Sequence, residues 1–229
     1  GPAVIWFVIF LGLPLLLILV YSFLTYESFN VLYEFSIRPW QAVFSANVMY
    51  TLMGTLLLAT ASTALTLLFG YPLAYYLRFY ASENGGIILL LFLVIPFWTS
   101  ALIRTLGWIP VLGRQGIINQ ILIWIGVVNQ PVNWLLFSRF SVLVGYLAAY
   151  VVFMAAPIFI SLAQIDEDLL DASETLRGDP ITTFRRVTLP LSMPGVIIGV
   201  IFVFVLSVGD FIIPQFLSGG QGTITTLIF

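Results

Sequence analysis

Residues 140–163, FSVLVGYLAAYVVFMAAPIFISLA, lie between Arg139 and Asp166 without one charged side chain. About 20 apolar residues in a helix cross the hydrocarbon core of a bilayer, so this run is long enough to span. Its apolar residues follow one another instead of alternating, which argues against a strand of a barrel. Backbone groups in lipid must be satisfied within the segment, so the run reads as a membrane-spanning helix.

The same test, carried outward from this stretch, finds further charge-free runs at 1–26, 39–77, 84–103, 115–138, 187–209 and 211–229. The apolar set makes up 61% of the 229 residues and charged residues 8%. Soluble domains carry about 25% charged residues, so a water-soluble globule is excluded, and disorder is excluded by the hydrophobicity. We expect an all-α, polytopic transmembrane helical bundle with spans at roughly 3–23, 48–77, 86–103, 140–163 and 192–213. Pro14, Pro72, Pro96, Pro157 and Pro194 fall in or at the ends of these spans, where membrane helices tolerate kinks. The run 115–138 has an apolar core of only Ile121–Val128, flanked by Asn119, Gln120, Asn129, Gln130, Pro131 and Asn133. It is too short to span and reads as an interfacial or re-entrant helix. The tail 211–229 is broken by Pro214 and by the run from Ser218 to Gly222, a loop signal. Gly1-Pro2 is not a translation start, and Thr225–Phe229 reads as the opening of another span, so the chain is expected to be truncated at both ends.

Several chemistries are excluded by composition. There is no Cys, no His and no Lys, and all eight cations are Arg. A thiolate or imidazole site, a Ser-His-Asp triad and a P-loop are therefore all out of reach. No catalytic or metal-ligating residue is expected, and the net charge of −2 gives no footprint for nucleic acid.

One polar segment, 164–190, holds half of all the charged side chains. Leu169, Ser173 and Leu176 recur at helical spacing beside Leu170 and Ala172, with Asp166, Asp168, Asp171 and Glu174 as polar neighbours. Gly178 supplies a break. Asp179 then caps a second short helix that has Pro180 at its first position, places Arg185 and Arg186 near its C-terminal end and stops before Pro190. A solvated connector is the plain reading of a charge run. Connectors of compact domains are mostly about 4–6 residues long, however, so a capped segment with an apolar stripe is better read as a docking surface.

The run from Asp171 to Gly195 resembles the EAA loop of ABC-importer permeases. That pattern has Glu-Ala-Ala, a Gly four positions on, and a hydrophobic-any-Leu-Pro ending, which Val187, Thr188, Leu189 and Pro190 match. Asp171 stands in place of Glu, Ser173 in place of Ala, and Arg177 in place of the Gly, with Gly178 one step later. Gly70–Arg78, Ile95–Thr99 with Leu102–Arg104, and Gly209–Pro214 followed by Gly219-Gly220 are similar to the spermidine/putrescine-type permeases.

This resemblance implies a type I ABC-importer permease fold of six spans, five of them visible here, in a bacterial inner (plasma) membrane. It places 164–190 in the cytoplasm, an orientation that the four Arg on each side leave open. It implies that Leu169, Leu170, Asp171, Ala172, Ser173, Glu174, Leu176, Arg177, Gly178, Asp179, Pro180, Leu189 and Pro190 couple the chain to an ATPase. The implied partners are a second homologous permease subunit, two cytoplasmic ATPase subunits that carry ATP and Mg, and a periplasmic solute-binding protein. No cofactor is expected on this chain, and the cargo is expected to be a polyamine such as spermidine or putrescine. The alternative is an ion-coupled secondary transporter, which needs ionisable groups within the spans. For the translocation path the candidates are Asp210, with Phe97, Trp98, Tyr146 and Tyr150 as aromatic faces for a cation. Asp210 equally reads as a carboxylate that bonds backbone groups freed near Gly209 and Pro214, or as a partner of Arg104.

Overall fold

A computed structural model describes residues 1–229 except 28–29, 83–84, 167, 171–172, 174–178, 221–222 and 229. It divides into two compact units, Gly1–Met53 and Gly54–Phe229.

In the first unit, α1 (Pro2–Phe7) continues through a π turn (Val8–Gly12) into α2 (Leu13–Tyr21). The large side chains of Val4–Tyr21 are exposed along the whole helix, as expected of a span in lipid. An antiparallel pair follows, β1 (Leu24–Glu27) and β2 (Asn30–Phe35), in the register Thr25↔Leu32, Tyr26↔Val31, Glu27↔Asn30. This ribbon is an addition to the all-helical expectation; it is too short to alter the fold class. Phe23 stacks on Phe35 and on Trp40 of α3 (Arg38–Val43), with ring centroids 5.3 and 5.7 Å apart.

The helix α4 (Ala46–Phe79) crosses into the second unit. Its buried positions there are Thr55, Ala59, Ser62, Thr63, Thr66, Gly70, Ala74 and Leu77. Small residues at helical spacing let neighbouring backbones come close, while Leu57, Leu68 and Phe69 face outward. The third expected span is α5 (Gly85–Val94), which tightens into a 3-10 turn (Ile95–Trp98) over Pro96. The chain then bends by 99° into the limb 101–124, made of α6 (Ala101–Leu106), α7 (Trp108–Leu112) and α8 (Ile117–Trp124). The helix expected to run to 103 therefore breaks after Trp98. The short helix lies one turn earlier than the apolar core Ile121–Val128 placed it.

At the centre is α9 (Arg139–Ala163), opened by a capping box in which Ser138 and Ser141 bond each other's backbone N–H groups. Its buried residues Val142, Tyr146, Ala149, Tyr150, Met154, Ile158 and Leu162 recur at helical spacing and form the core. The last span corrects the expected boundaries. Helix α10 (Pro180–Thr183) does not stop before Pro190. It runs through a π turn (Phe184–Thr188) into α11 (Leu189–Gly209) as one helix from Pro180 to Gly209. Arg185 and Arg186 therefore have no helix terminus to complement.

The reason is local. A proline ring strikes the carbonyl four residues earlier, and Pro14 and Pro190 each follow a π turn that contains that residue, Phe10 or Arg186. The Leu13 N–H reaches Val8 O and the Leu189 N–H reaches Phe184 O, five residues back. The widened turn lets the helix pass the proline. Beyond Gly209 the chain breaks; α12 (Ile212–Leu217) runs across Pro214, which was read as a loop signal, and α13 (Ile224–Ile228) lies where the opening of another span was expected. The loop signal itself falls where Gly219 and Gly220 adopt φ of 65° and 88°.

Helices α9 and α11 pack along their length. A Cβ on Gly195 would sit 2.3 Å from Pro157 O, and one on Gly199 would sit 2.8 Å from Met154 Sδ. Gly70 of α4 meets the same methionine, at 2.8 Å from Cγ. Met154 is thus held between glycines of two helices, and the pair Gly195 and Gly199 forms a small-xxx-small contact. Hydroxyls add to the packing. Ser62 and Ser207 approach to 3.2 Å, Tyr71 and Ser192 to 3.0 Å, and Gly195 N–H donates to Ser161 Oγ at 3.1 Å.

Candidate functional site

Two places concentrate polar and aromatic groups, one at each end of the helix 180–209.

At the first, residues 168–170 and 173 are helical, and the N–H groups of Asp168 and Leu169 donate back to Asp166. Leu169 is exposed, whereas Leu170 packs against the core. The two Leu expected on one docking face therefore point to different surroundings. Ser173 and Thr183 hydroxyls meet at 2.8 Å and tie this helical turn to α10. Asp179 occupies the N-cap of α10 and Pro180 its first position, as expected. The Thr182 hydroxyl, by hydrogen bonding, holds the Asp179 carboxyl below its ordinary range. Leu189 is partly buried and Pro190 exposed. Asp171, Ala172, Glu174, Leu176, Arg177 and Gly178 lie outside the described residues.

Sequence reasoning missed Phe184. Its ring meets Tyr71 and Tyr75 of α4 edge-on, with centroids 5.8 and 5.9 Å apart. It also lines a groove of about 410 Å³ with Tyr75, Phe79, Tyr80, Leu170, Pro180, Thr183 and Thr188. The segment is thus joined to two spans, to α11 through a continuous helix and to α4 through this ring. Edge-to-face aromatic pairs contribute about 0.5–1.5 kcal/mol each beyond their area. Phe184→Ala is therefore expected to speed tryptic cleavage at Arg185 and Arg186 in detergent-solubilised protein, because the turn loses its tie to α4. An unchanged rate would mean that the ring does not hold it.

At the second place, Asp210 follows the last residue of α11 and is half-buried. Its Oδ1 accepts the Ile213 N–H of α12 at 3.0 Å, and its Oδ2 accepts the Tyr150 hydroxyl. Its carbonyl accepts the Thr225 hydroxyl at 2.7 Å. The carboxylate thus bonds a backbone group freed by the break, one of the two structural alternatives. Arg104 is turned elsewhere. It donates to Pro96 O at 2.9 Å and lies over the Phe97 ring at 4.5 Å. Phe97 meets Phe153 edge-on at 5.1 Å, Phe153 lies 6.4 Å from Tyr150, and Tyr150 stacks on Tyr146 at 5.6 Å. Four of the five expected path residues therefore belong to one cluster. Trp98, 84% exposed, does not. Tyr146 is fully buried and donates to Ser207 O at 3.1 Å. Ser207 and Thr225 had no signal in the sequence, since single hydroxyls in apolar runs look alike until their partners are known.

The chain is 31% identical over 217 residues to the spermidine/putrescine transport system permease protein PotB of Escherichia coli (strain K12). The match covers 94% of this chain and 78% of that one. The chain belongs to the ABC-importer permeases of the spermidine/putrescine type. PotB of Haemophilus influenzae is equally similar, 31% identical with 94% of this chain and 75% of that one covered. The inner membrane ABC transporter permease protein YdcU of E. coli is 30% identical over 228 residues, 94% of this chain and 72% of its own. Among solved structures, a bacterial ABC transporter for import of the acidic polysaccharide alginate aligns with a TM-score of 0.66 at 18% identity. That alignment covers 99% of this chain and 80% of the other and shows the fold. No family model matches the chain. The permease is a multi-pass membrane subunit of an importer; among the described residues four helices are long and apolar enough to cross a bilayer, or five if the bent pair is one span.

Proposed function

We propose that this permease forms half of the translocation pathway of an ATP-driven polyamine importer in the bacterial inner membrane. A second homologous permease completes the pore, and of two cytoplasmic ATPase subunits, which bind ATP and Mg, one docks on 164–190. A periplasmic binding protein delivers the solute at the other face, and the chain itself catalyses nothing and binds no cofactor. The observation that carries this reading is the similarity to the PotB permeases along 94% of the chain. The ion-coupled alternative is not favoured, because Asp210 and Arg104 stand at the ends of apolar segments and the spans between are uncharged.

At the coupling end, a continuous helix and the Phe184 ring suit a segment through which a partner's motion reaches the spans. At the other end, Asp210 is the acidic group with which a passing ammonium could pair, with Tyr150 bonded to it and Phe97 farther along the same ring cluster as aromatic surfaces.

The reading is tested by reconstituting the permease with its ATPase and binding proteins and following ATP-dependent uptake of labelled spermidine. Ala172→Arg should abolish uptake and ATPase docking while membrane insertion persists. Normal assembly and coupling in that variant would sink the docking assignment. Uptake driven by an ion gradient without ATP would sink the importer class.

A further inference from the structure

Helix α8 (Ile117–Trp124) has its amphipathy inside out. Ile117, Ile121, Trp124 and Ile125 fall on one stripe at helical spacing, and all four are exposed, Trp124 to 86%. Of its two polar residues, Asn119 is buried, at 1% exposure, while Gln120 is exposed and donates to Gln115 O at 2.9 Å. The Asn119 carboxamide is fully used: Nδ2 donates to Gly113 O at 3.0 Å and Val132 O at 3.1 Å, and Oδ1 accepts the Val132 N–H at 2.7 Å. Asn119 thereby ties the chain before the helix to the chain after it. The apolar stripe is displayed on a braced platform and not on a loose loop.

Three observations name what covers the stripe. At about 12 Å, eight helical residues are far too short to cross a bilayer. The limb 101–124 makes an angle of 99° with the helix 85–98, so the two cannot both run along the bilayer normal. The stripe is also bordered by exposed polar groups, Arg114, Asn129, Gln130 and Asn133, as an element at the headgroup level requires.

We propose that α8 is an in-plane membrane anchor. Ile117, Ile121, Trp124 and Ile125 insert into the boundary between headgroups and acyl chains of the leaflet opposite the 164–190 segment. The partner is the lipid surface itself. The anchor fixes the height of the 113–132 segment above the pore by depth of insertion, independently of which solute is carried.

The absence of cysteine permits a direct test. Single-cysteine variants Ile121→Cys, Trp124→Cys and Gln130→Cys would carry a nitroxide label in the assembled transporter, in nanodiscs of phosphatidylethanolamine and phosphatidylglycerol. All three side chains are exposed, so the fold tolerates them, and ATP-dependent uptake by each variant checks assembly. Labels at 121 and 124 are expected to be relaxed by oxygen, not by a water-soluble nickel chelate, at depths of about 5–10 Å below the phosphates. The label at 130 is expected to show the reverse. A label at 124 as accessible to nickel as that at 130 overturns the proposal in favour of a free periplasmic surface. One shielded from both reagents overturns it in favour of a protein partner, and one deeper than the acyl boundary in favour of a re-entrant loop.

Discussion

Gly195→Leu will leave no folded subunit to isolate, and Gly195→Ala will yield one that is destabilised by about 1–3 kcal/mol, the cost of overpacking a filled contact. The smallest possible side chain already places its Cβ 2.3 Å from Pro157 O, 2.8 Å from Ser161 Cβ and 2.9 Å from Ile158 Cα. Two of these atoms are backbone and cannot rotate away. The two helices must separate, which also stretches the bond from Gly195 N–H to Ser161. In a bilayer, helix association rests on such close packing, because lipid is as apolar as the side chains. Thermal unfolding in detergent, followed by tryptophan fluorescence, reads the Ala variant. A midpoint equal to that of the parent would mean that α9 and α11 do not approach this closely.

Asp210→Asn is expected to lower spermidine uptake about tenfold, equivalent to about 1.4 kcal/mol, with assembly and ATP hydrolysis intact. Asn keeps an oxygen for the Ile213 N–H, and its amide can donate to the Tyr150 hydroxyl oxygen, so the local bonding survives without the charge. Two unit charges about 4 Å apart interact by about 1 kcal/mol in water and about 4 kcal/mol near a protein surface. The half-buried site calls for the lower part of that range. Asp210→Ala removes the acceptor as well and is expected to cost a further 1–3 kcal/mol or so of stability, from the unpaired Ile213 N–H. Unimpaired uptake by the Asn variant, together with an unstable Ala variant, would leave Asp210 a purely structural role.

The spans were legible because charge-free runs need no tertiary information: 140–163 and 48–77 differ from α9 and α4 by at most two residues at either end. The errors fall where proline and glycine signals were read one at a time. Pro190 was read as a stop because a π turn upstream of it leaves no mark in composition, and its effect depends on an i−5 bond. The break after Gly209 was hidden inside an apolar run, since Phe211-Ile-Ile continues the hydropathy although the backbone turns at Asp210. At the candidate site, Asp210 was recognisable as an acid next to a span. Its bonds to Tyr150, Ile213 and Thr225 were not, because they join residues 3–60 positions away. Phe184 gave no signal, being one aromatic residue in a chain that has 20 Phe.

The helix from Pro180 to Gly209 contains 30 residues, and Gly195, its tightest contact, stands at the midpoint. A rod pinned at its centre is a lever with equal arms, here about 22 Å each at a rise of 1.5 Å per residue. A tilt of about 10° about that fulcrum would carry Pro180 about 4 Å one way and Gly209 about 4 Å the other. Displacement at one mouth of the pore would then be matched by an equal and opposite displacement at the far mouth, with no relay between them.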